Sequence, residues 1–179
     1  MRTLLSLLFI AAIVSVCSCQ KLGICVDQKL QMERHDDTLG KLRMDGYYYS
    51  PADTDDNGII LNEIIILYKN GVVLLPGNAS QGDEELYLHS ISGFTGIRAS
   101  KSCWGAYSRD SVFSIARWKP SQCGAQAILR KGQILNDTTF MISEMQIKGR
   151  YGTGKLPREQ YFRFRHYFPK PDSLNDFVE

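Results

Sequence analysis

The side chains that could do chemistry are scattered, and none completes a catalytic set. Asp53-Thr54-Asp55-Asp56-Asn57-Gly58 places oxygen ligands at the first, third and fifth positions of a calcium-binding loop, then a glycine. Calcium also needs a bidentate carboxylate at the twelfth position, which is Ile64 here, with Glu63 one place early. A polar hairpin turn accounts for the same residues. Gly149-Arg150-Tyr151-Gly152-Thr153-Gly154-Lys155 has the glycine and lysine spacing of a phosphate loop. Leu156, however, stands where magnesium needs a hydroxyl, and Pro157 follows, so the segment reads as a loop that runs into a strand. Gly-x-Ser-x-Gly is absent, and no Ser or Cys is tied to a His by spacing. Asp55-Asp56 and Glu84-Glu85 read as solvated turns. Arg158, Arg163, Arg165 and Lys170 interleave with Tyr161, Phe162 and Tyr167. That pattern suits a polyanion- or sugar-stacking surface, or simply an amphipathic strand with a basic face. The expectation is a non-enzymatic protein with no cofactor and no assignable ligand-binding residue.

Five cysteines carry the next signals. Arg2, the apolar stretch Leu4 to Val16 and the small residues before Cys19 form an export signal, too short in its apolar part to cross a bilayer. Val16-Cys17-Ser18-Cys19 resembles a bacterial lipobox, since Ser18 is the small residue such a site needs before its cysteine. That resemblance implies cleavage after residue 18 and lipidation of Cys19, with two or three acyl chains, palmitate among them, anchoring the chain. The competing reading is an ordinary secretory signal. By analogy with bacterial lipoproteins, Gln20 in place of Asp favours the outer membrane. The absence of an acidic cluster from Lys21-Leu22-Gly23-Ile24 favours a periplasm-facing position. In an oxidising compartment Cys103 and Cys123, which flank a predicted strand, are a candidate disulfide, leaving Cys25 unpaired. A metal centre is not expected: there is no C-x-x-C, and His35, His89 and His166 show no ligand spacing.

Behind these residues stands an ordinary globular composition. The 179 residues are 44% hydrophobic and 22% charged, with a formal charge of only +2, which argues against nucleic acid as a partner. The organisation expected is a signal at 1–18, a lipidated polar tether at 19–40, helical around Val26 to Arg34, and one domain at 41–179.

That domain reads as β-structure. Leu42 to Ser50 forms a first strand, and Ile59 to Leu75 is a β-branched run broken by Asn70-Gly71, the preferred pair for a type I′ hairpin. Asp83-Glu84-Glu85 opens a short helix carrying Leu86, Leu88 and Ile91. Trp104 to Tyr107 and Val112 to Trp118 flank a turn at Ser108-Arg109-Asp110-Ser111. Gln126 to Leu135 and Thr138 to Lys148 flank another at Asn136-Asp137. In Tyr161 to Phe168 the residues Phe162, Phe164, His166 and Phe168 share one face, and Arg163 and Arg165 the other. About eight strands with short connections and one helix indicate an all-β fold, a closed antiparallel up-and-down barrel or a β-sandwich.

The order of Gly46-Tyr47-Tyr48-Tyr49, Tyr68-Lys69-Asn70-Gly71-Val72-Val73, Trp104-Gly105-Ala106-Tyr107, Gly132 to Phe140 and Phe162-Arg163-Phe164 resembles small lipoproteins of Bacteroides-type bacteria. Their architecture is lipocalin-like. The resemblance runs from Leu42 to the C-terminus and implies a fold, not a catalytic residue. It also implies O-glycosylation at Asp-Ser/Thr sites followed by an aliphatic residue or Thr. Asp37-Thr38-Leu39, Asp110-Ser111-Val112, Asp137-Thr138-Thr139 and Asp172-Ser173-Leu174 match. Thr38 and Ser173, placed in exposed ends, are the favoured acceptors.

The leading functional expectation is a lipid-anchored envelope module that binds a small apolar or sugar-like ligand, or an envelope protein partner. A structural subunit without a ligand and an unrecognised hydrolase are the alternatives.

Overall fold

The computed structural model describes residues 27–36, 40–92, 95–109, 112–122, 124–147 and 154–178. Eight strands follow one another: β1 (Gly46–Thr54), β2 (Ile60–Leu67), β3 (Val72–Ser80), β4 (Trp104–Ser108), β5 (Phe113–Pro120), β6 (Ala125–Asn136), β7 (Thr139–Ile147) and β8 (Gly154–His166). Helices α1 (Glu84–Ser92) and α2 (Thr95–Arg98) and a 3₁₀ turn (Lys101–Cys103) lie between β3 and β4. Each strand pairs antiparallel with its sequence neighbour, and β1 closes the circle on β8 through Gly46↔His166, Tyr47↔Arg165, Tyr48↔Phe164 and Tyr49↔Arg163. The fold is therefore an all-β, closed up-and-down barrel with one short helix of more than a single turn, and not a sandwich. At the seam, a side chain on Gly46 would collide with the Arg165 carbonyl, so the bare backbone lets β1 and β8 approach.

Period-two alternation sorts the apolar residues onto two faces. Tyr48, Ile65, Leu67, Val73, Tyr107, Phe113, Ile115, Phe140, Ile142 and Phe162 form one buried cluster, which fills the barrel interior. Their neighbours in sequence, including Tyr47, Ile64, Ile66, Val72, Leu74, Trp104, Ala106 and Trp118, form a second cluster on the outer wall. A strand buried on both faces reads as a continuous apolar run, which is why Ile64-Ile65-Ile66-Leu67 shows no alternation.

Three segments cover the outer wall. Leu88 of α1 is fully buried there, while Leu86 is 68% exposed. The C-terminal stretch 167–178 packs Tyr167, Phe177 and Val178 onto it. Residues 27–36, expected as part of a tether and as a helix, form no helix and dock on the barrel, from the start of β6 at residue 28 to the β2–β3 turn at His35. Gln28 donates its N–H to the Ala125 carbonyl and accepts from Trp118 Nε1, at 2.8 and 2.7 Å, while Leu30 and Met32 pack inward. Pairing with strand and indole groups satisfies this backbone without helical bonds.

The β2–β3 hairpin stands where Asn70-Gly71 places it, but the turn is not type I′. Among the described residues no non-glycine residue has positive φ. Gly71 N–H reaches the Tyr68 carbonyl at 3.1 Å, and Gly71 alone adopts φ of 76°. That is a type I turn at Lys69-Asn70 followed by a left-handed glycine, the three-residue hairpin solution. β1 starts later than expected because residues 40–45 cross beneath the barrel, where Leu42 is buried and Arg43 N–H bonds the Asp137 carbonyl at 2.9 Å. β8 begins earlier, at Gly154. Phe162 and Phe164 do share the inward face, but Phe168 lies past the strand end and is 83% exposed.

Candidate functional site

The barrel interior divides into two levels. At the lower end, near residues 40–45, aromatic rings pack against one another. Phe140 stacks on Phe162 with ring centroids 4.9 Å apart and planes at 11°, and Phe113 and Tyr48 close on Phe140 at 4.6 and 5.0 Å. Tyr48 donates its hydroxyl to the carbonyls of Arg43 and Asp137, and Tyr107 donates to that of Tyr68, so these polar tips are satisfied inside the plug.

Above them the inward positions turn polar. Glu63 on β2 stands in phase with Ile65 and Leu67, Arg117 on β5 with Phe113 and Ile115, and Arg130 on β6 with Ile128. The register brings them together. Ile115 sits opposite Arg130, Gly105 opposite Arg117, and Gln160 on β8 opposite Ile142. Arg130 forks onto both oxygens of Glu63, at 2.6 and 3.2 Å, donates also to Gln160 Oε1, and lies over the Phe162 ring at 5.4 Å. Its side chain is only 5% exposed and that of Glu63 12%. A bidentate guanidinium–carboxylate pair is the geometry that best offsets the cost of burying both charges.

Arg117 is held differently. Its Nη1 is 3.9 Å from Glu63 Oε1, too far for a hydrogen bond, and its buried Nε has no partner among the described residues. Burial lowers its pKa from the ordinary guanidinium value. Glu63 offsets this in part, and the like charge of Arg130 adds to it. About a quarter of the side chain remains open, 28% by area. This level of the barrel interior thus carries two guanidinium groups against one carboxylate. Leu61, Met145 and Ile147 share this inward face by register and are half-buried.

A second polar knot pins α1 to the outer wall. Glu84 is buried and accepts from Asn62 Nδ2, from Gly82 N–H at 3.2 Å and from Arg165 Nη1 at 3.2 Å. Burial works against its charge, yet its own backbone N–H, Asn62, Gly82 and the Arg165 charge together hold its carboxyl below the ordinary value. At the lower end, Lys170 Nζ donates to the carbonyls of Met44 and Leu67 at 2.6 and 3.1 Å and sits 4.5 Å from the Tyr68 ring centroid. Burial lowers its pKa to about 8. These contacts hold the C-terminal segment across the barrel and already engage the ammonium.

The residues singled out from sequence lie elsewhere. Asp53 and Thr54 end β1, and Asp55 to Gly58 form the β1–β2 turn, where Asp55 Oδ1 accepts from the N–H groups of Asn57 and Ile59, at 2.9 and 2.8 Å. Cys103 ends the 3₁₀ turn and has no disulfide partner among the described residues, and Cys123, Cys19, Cys25 and Thr38 lie outside them. The chain between Cys103 and Cys123 is a hairpin, β4–β5, not one strand. Ser173 is half-buried rather than in a free end. The docked C-terminal segment brings its Oγ to Asn70 Nδ2 at 3.0 Å. Of the basic residues in the last strand, Arg165 faces outward to Glu84.

Glu63, Arg117 and Arg130 were not singled out by motif, because no short-range spacing links them. The available signal was phase: each is a charge on the apolar, inward beat of a strand. No protein-family model matches the chain, and neither a curated protein nor a solved structure matches it.

Proposed function

We propose that the protein is a non-enzymatic binding module of a bacterial envelope. It is exported, anchored through lipid on Cys19 to the outer membrane facing the periplasm, and it holds a small ligand at the charged end of its barrel. One observation supports the ligand reading: an inward face that is apolar below changes to Glu63, Arg117 and Arg130 above, with Arg117 part-exposed and its Nε without a partner among the described residues. A barrel that served only as a filled structural body gains nothing from that charge, since well-packed apolar residues there are as stabilising or more so. The anchor reading rests on Val16-Cys17-Ser18-Cys19.

Native mass spectrometry of the protein purified from its own envelope tests the ligand reading. A reproducible mass lost on denaturation supports it; a bare chain favours a structural subunit instead. Metabolic labelling with a palmitate analogue, abolished in Cys19→Ala, tests the anchor.

A further inference from the structure

We propose that Lys170 is a covalent attachment site for a small aldehyde, which its ε-amine takes up as an imine. The site lies at the lower end of the barrel and does not depend on Glu63, Arg117 or Arg130. Its place in the fold carries the inference. Lys170 lines a cavity of about 580 Å³ together with Met44, Asp45, Tyr68, Lys69 and Ser173. Pro169 and Pro171 flank the lysine, and the Tyr68 hydroxyl donates to the Pro171 carbonyl at 2.8 Å, so the segment presents the side chain from a restrained backbone.

The contacts of the amine do not require its charge. Nζ donates to the carbonyls of Met44 and Leu67 at 2.6 and 3.1 Å, and the two N–H groups of a neutral amine serve both. Among the described residues no carboxylate pairs with it. Asp45 is forked onto Arg43, with His166 Nε2 3.9 Å away, and Asp172 is paired with Arg98. The Tyr68 ring, centred 4.5 Å from Nζ, favours the cation. Burial opposes the cation more strongly than Asp45 supports it, and the like charge of Lys69 adds to burial, which brings the amine to a pKa of about 8. At pH 7 such an amine is neutral in about one molecule in ten, against roughly one in two thousand for an ordinary lysine.

The neutral amine adds its electron pair to the aldehyde carbon while the carbonyl pair moves onto oxygen. A proton passes from nitrogen to that oxygen, giving a carbinolamine, and the hydroxyl then leaves as water as the C=N bond forms. The step needs no oxidant, reductant or activating group, and it is reversible. Ser173 lines the same cavity, and its Oγ accepts from Asn70 Nδ2 at 3.0 Å, leaving its own O–H to donate to the carbonyl oxygen. The protonated imine keeps one N–H for the nearer carbonyl, that of Met44.

The test treats the full chain with benzaldehyde and cyanoborohydride at pH 7, which reduces the imine to a stable adduct, and maps the labelled peptides over time by mass spectrometry. Lys170 is expected to label at least about tenfold faster than any other lysine. That is the roughly two-hundredfold gain in neutral amine, less what a weaker base loses in nucleophilicity. The α-amine, also partly neutral at pH 7, falls on a different peptide and is scored apart. The ratio of the Lys170 rate to that of the exposed Lys29 cancels the reagent's own pH dependence. It should hold level up to about pH 8 and fall steeply by pH 10. Lys170→Arg keeps a cation and should abolish the fast label alone. A Lys170 rate no greater than that of Lys29, or a ratio unchanged from pH 7 to 10, overturns the assignment and leaves Lys170 a structural cation. Should Lys170→Arg fail to fold, the mapped rates of the unsubstituted chain decide alone.

Discussion

Replacing Glu63 with Gln should destabilise the barrel far more than loss of one hydrogen bond, because Glu63 balances two cations. Its Oε1 lies 2.6 Å from Arg130 Nη1 and 3.9 Å from Arg117 Nη1. At an effective dielectric near 20, unit charges about 4 Å apart interact by roughly 4 kcal/mol. Removing one partner of a buried pair costs about 3–5 kcal/mol, since the other charge stays buried and uncompensated. For a domain of this size each kcal/mol shifts the melting temperature by roughly 2–4 °C, so a fall on the order of 10 °C is expected. The double substitution Glu63→Gln with Arg130→Met removes the uncompensated Arg130 and should recover most of the loss. Urea unfolding at neutral pH, followed by circular dichroism and tryptophan emission on all four members of the cycle, measures the coupling. A Glu63→Gln loss below about 1 kcal/mol, or strictly additive substitutions, would refute the reasoning that these charges form one unit.

Three further outcomes follow from other contacts. Glu84 has its carboxyl pKa held below the ordinary value of 4.5, so its contribution is present above that value and is lost as pH falls through the folded pKa. The melting temperature should therefore drop more steeply below about pH 5 in the parent than in Glu84→Gln. Lys170 is the opposite case: its folded pKa of about 8 lies below the unfolded 10.5, so the unfolded chain binds more protons between them. Stability should rise from about pH 8 to 9.5, and Lys170→Met should flatten that rise in thermal scans. Gly71→Ala should cost more than about 1 kcal/mol in urea unfolding, since φ is +76° and the added carbon would collide with the His35 carbonyl. Gly58→Ala, at φ +80° with nothing within 4 Å, should cost less.

What the sequence disclosed and what it concealed divide along physical lines. Asn70-Gly71 between β-branched runs marked the β2–β3 hairpin because turn chemistry is local, and Phe162 and Phe164 showed their shared face because strands alternate with period two. The turn's own type was not legible, since Asn70 can serve either turn and the flanking register decides. The docking of residues 27–36 was concealed because two apolar side chains, Leu30 and Met32, are too sparse to show a period. The first half of β8 was hidden by Gly154, Lys155 and Pro157, residues that read as loop yet lie at the start of a strand. The charged cluster was least visible: Glu63, Arg117 and Arg130 meet only when the sheet closes, and their one trace was a charge on an inward beat.

The seam has a consequence for how the chain must fold. Every other ladder joins strands adjacent in sequence, so a curled ribbon from β1 to β8 can zip hairpin by hairpin, with little loop-closure entropy. Only the β1–β8 ladder joins the two ends of the domain, and it waits for His166 to meet Gly46. Until then the ribbon has two bare edges, one of them the tyrosine run Tyr47-Tyr48-Tyr49. These edges are templates for a second chain as good as for the chain's own last strand. Closure therefore competes with association, and residues 167–178, which follow β8 and bond back to Asp45, Tyr68 and Asn70, latch the seam once it forms.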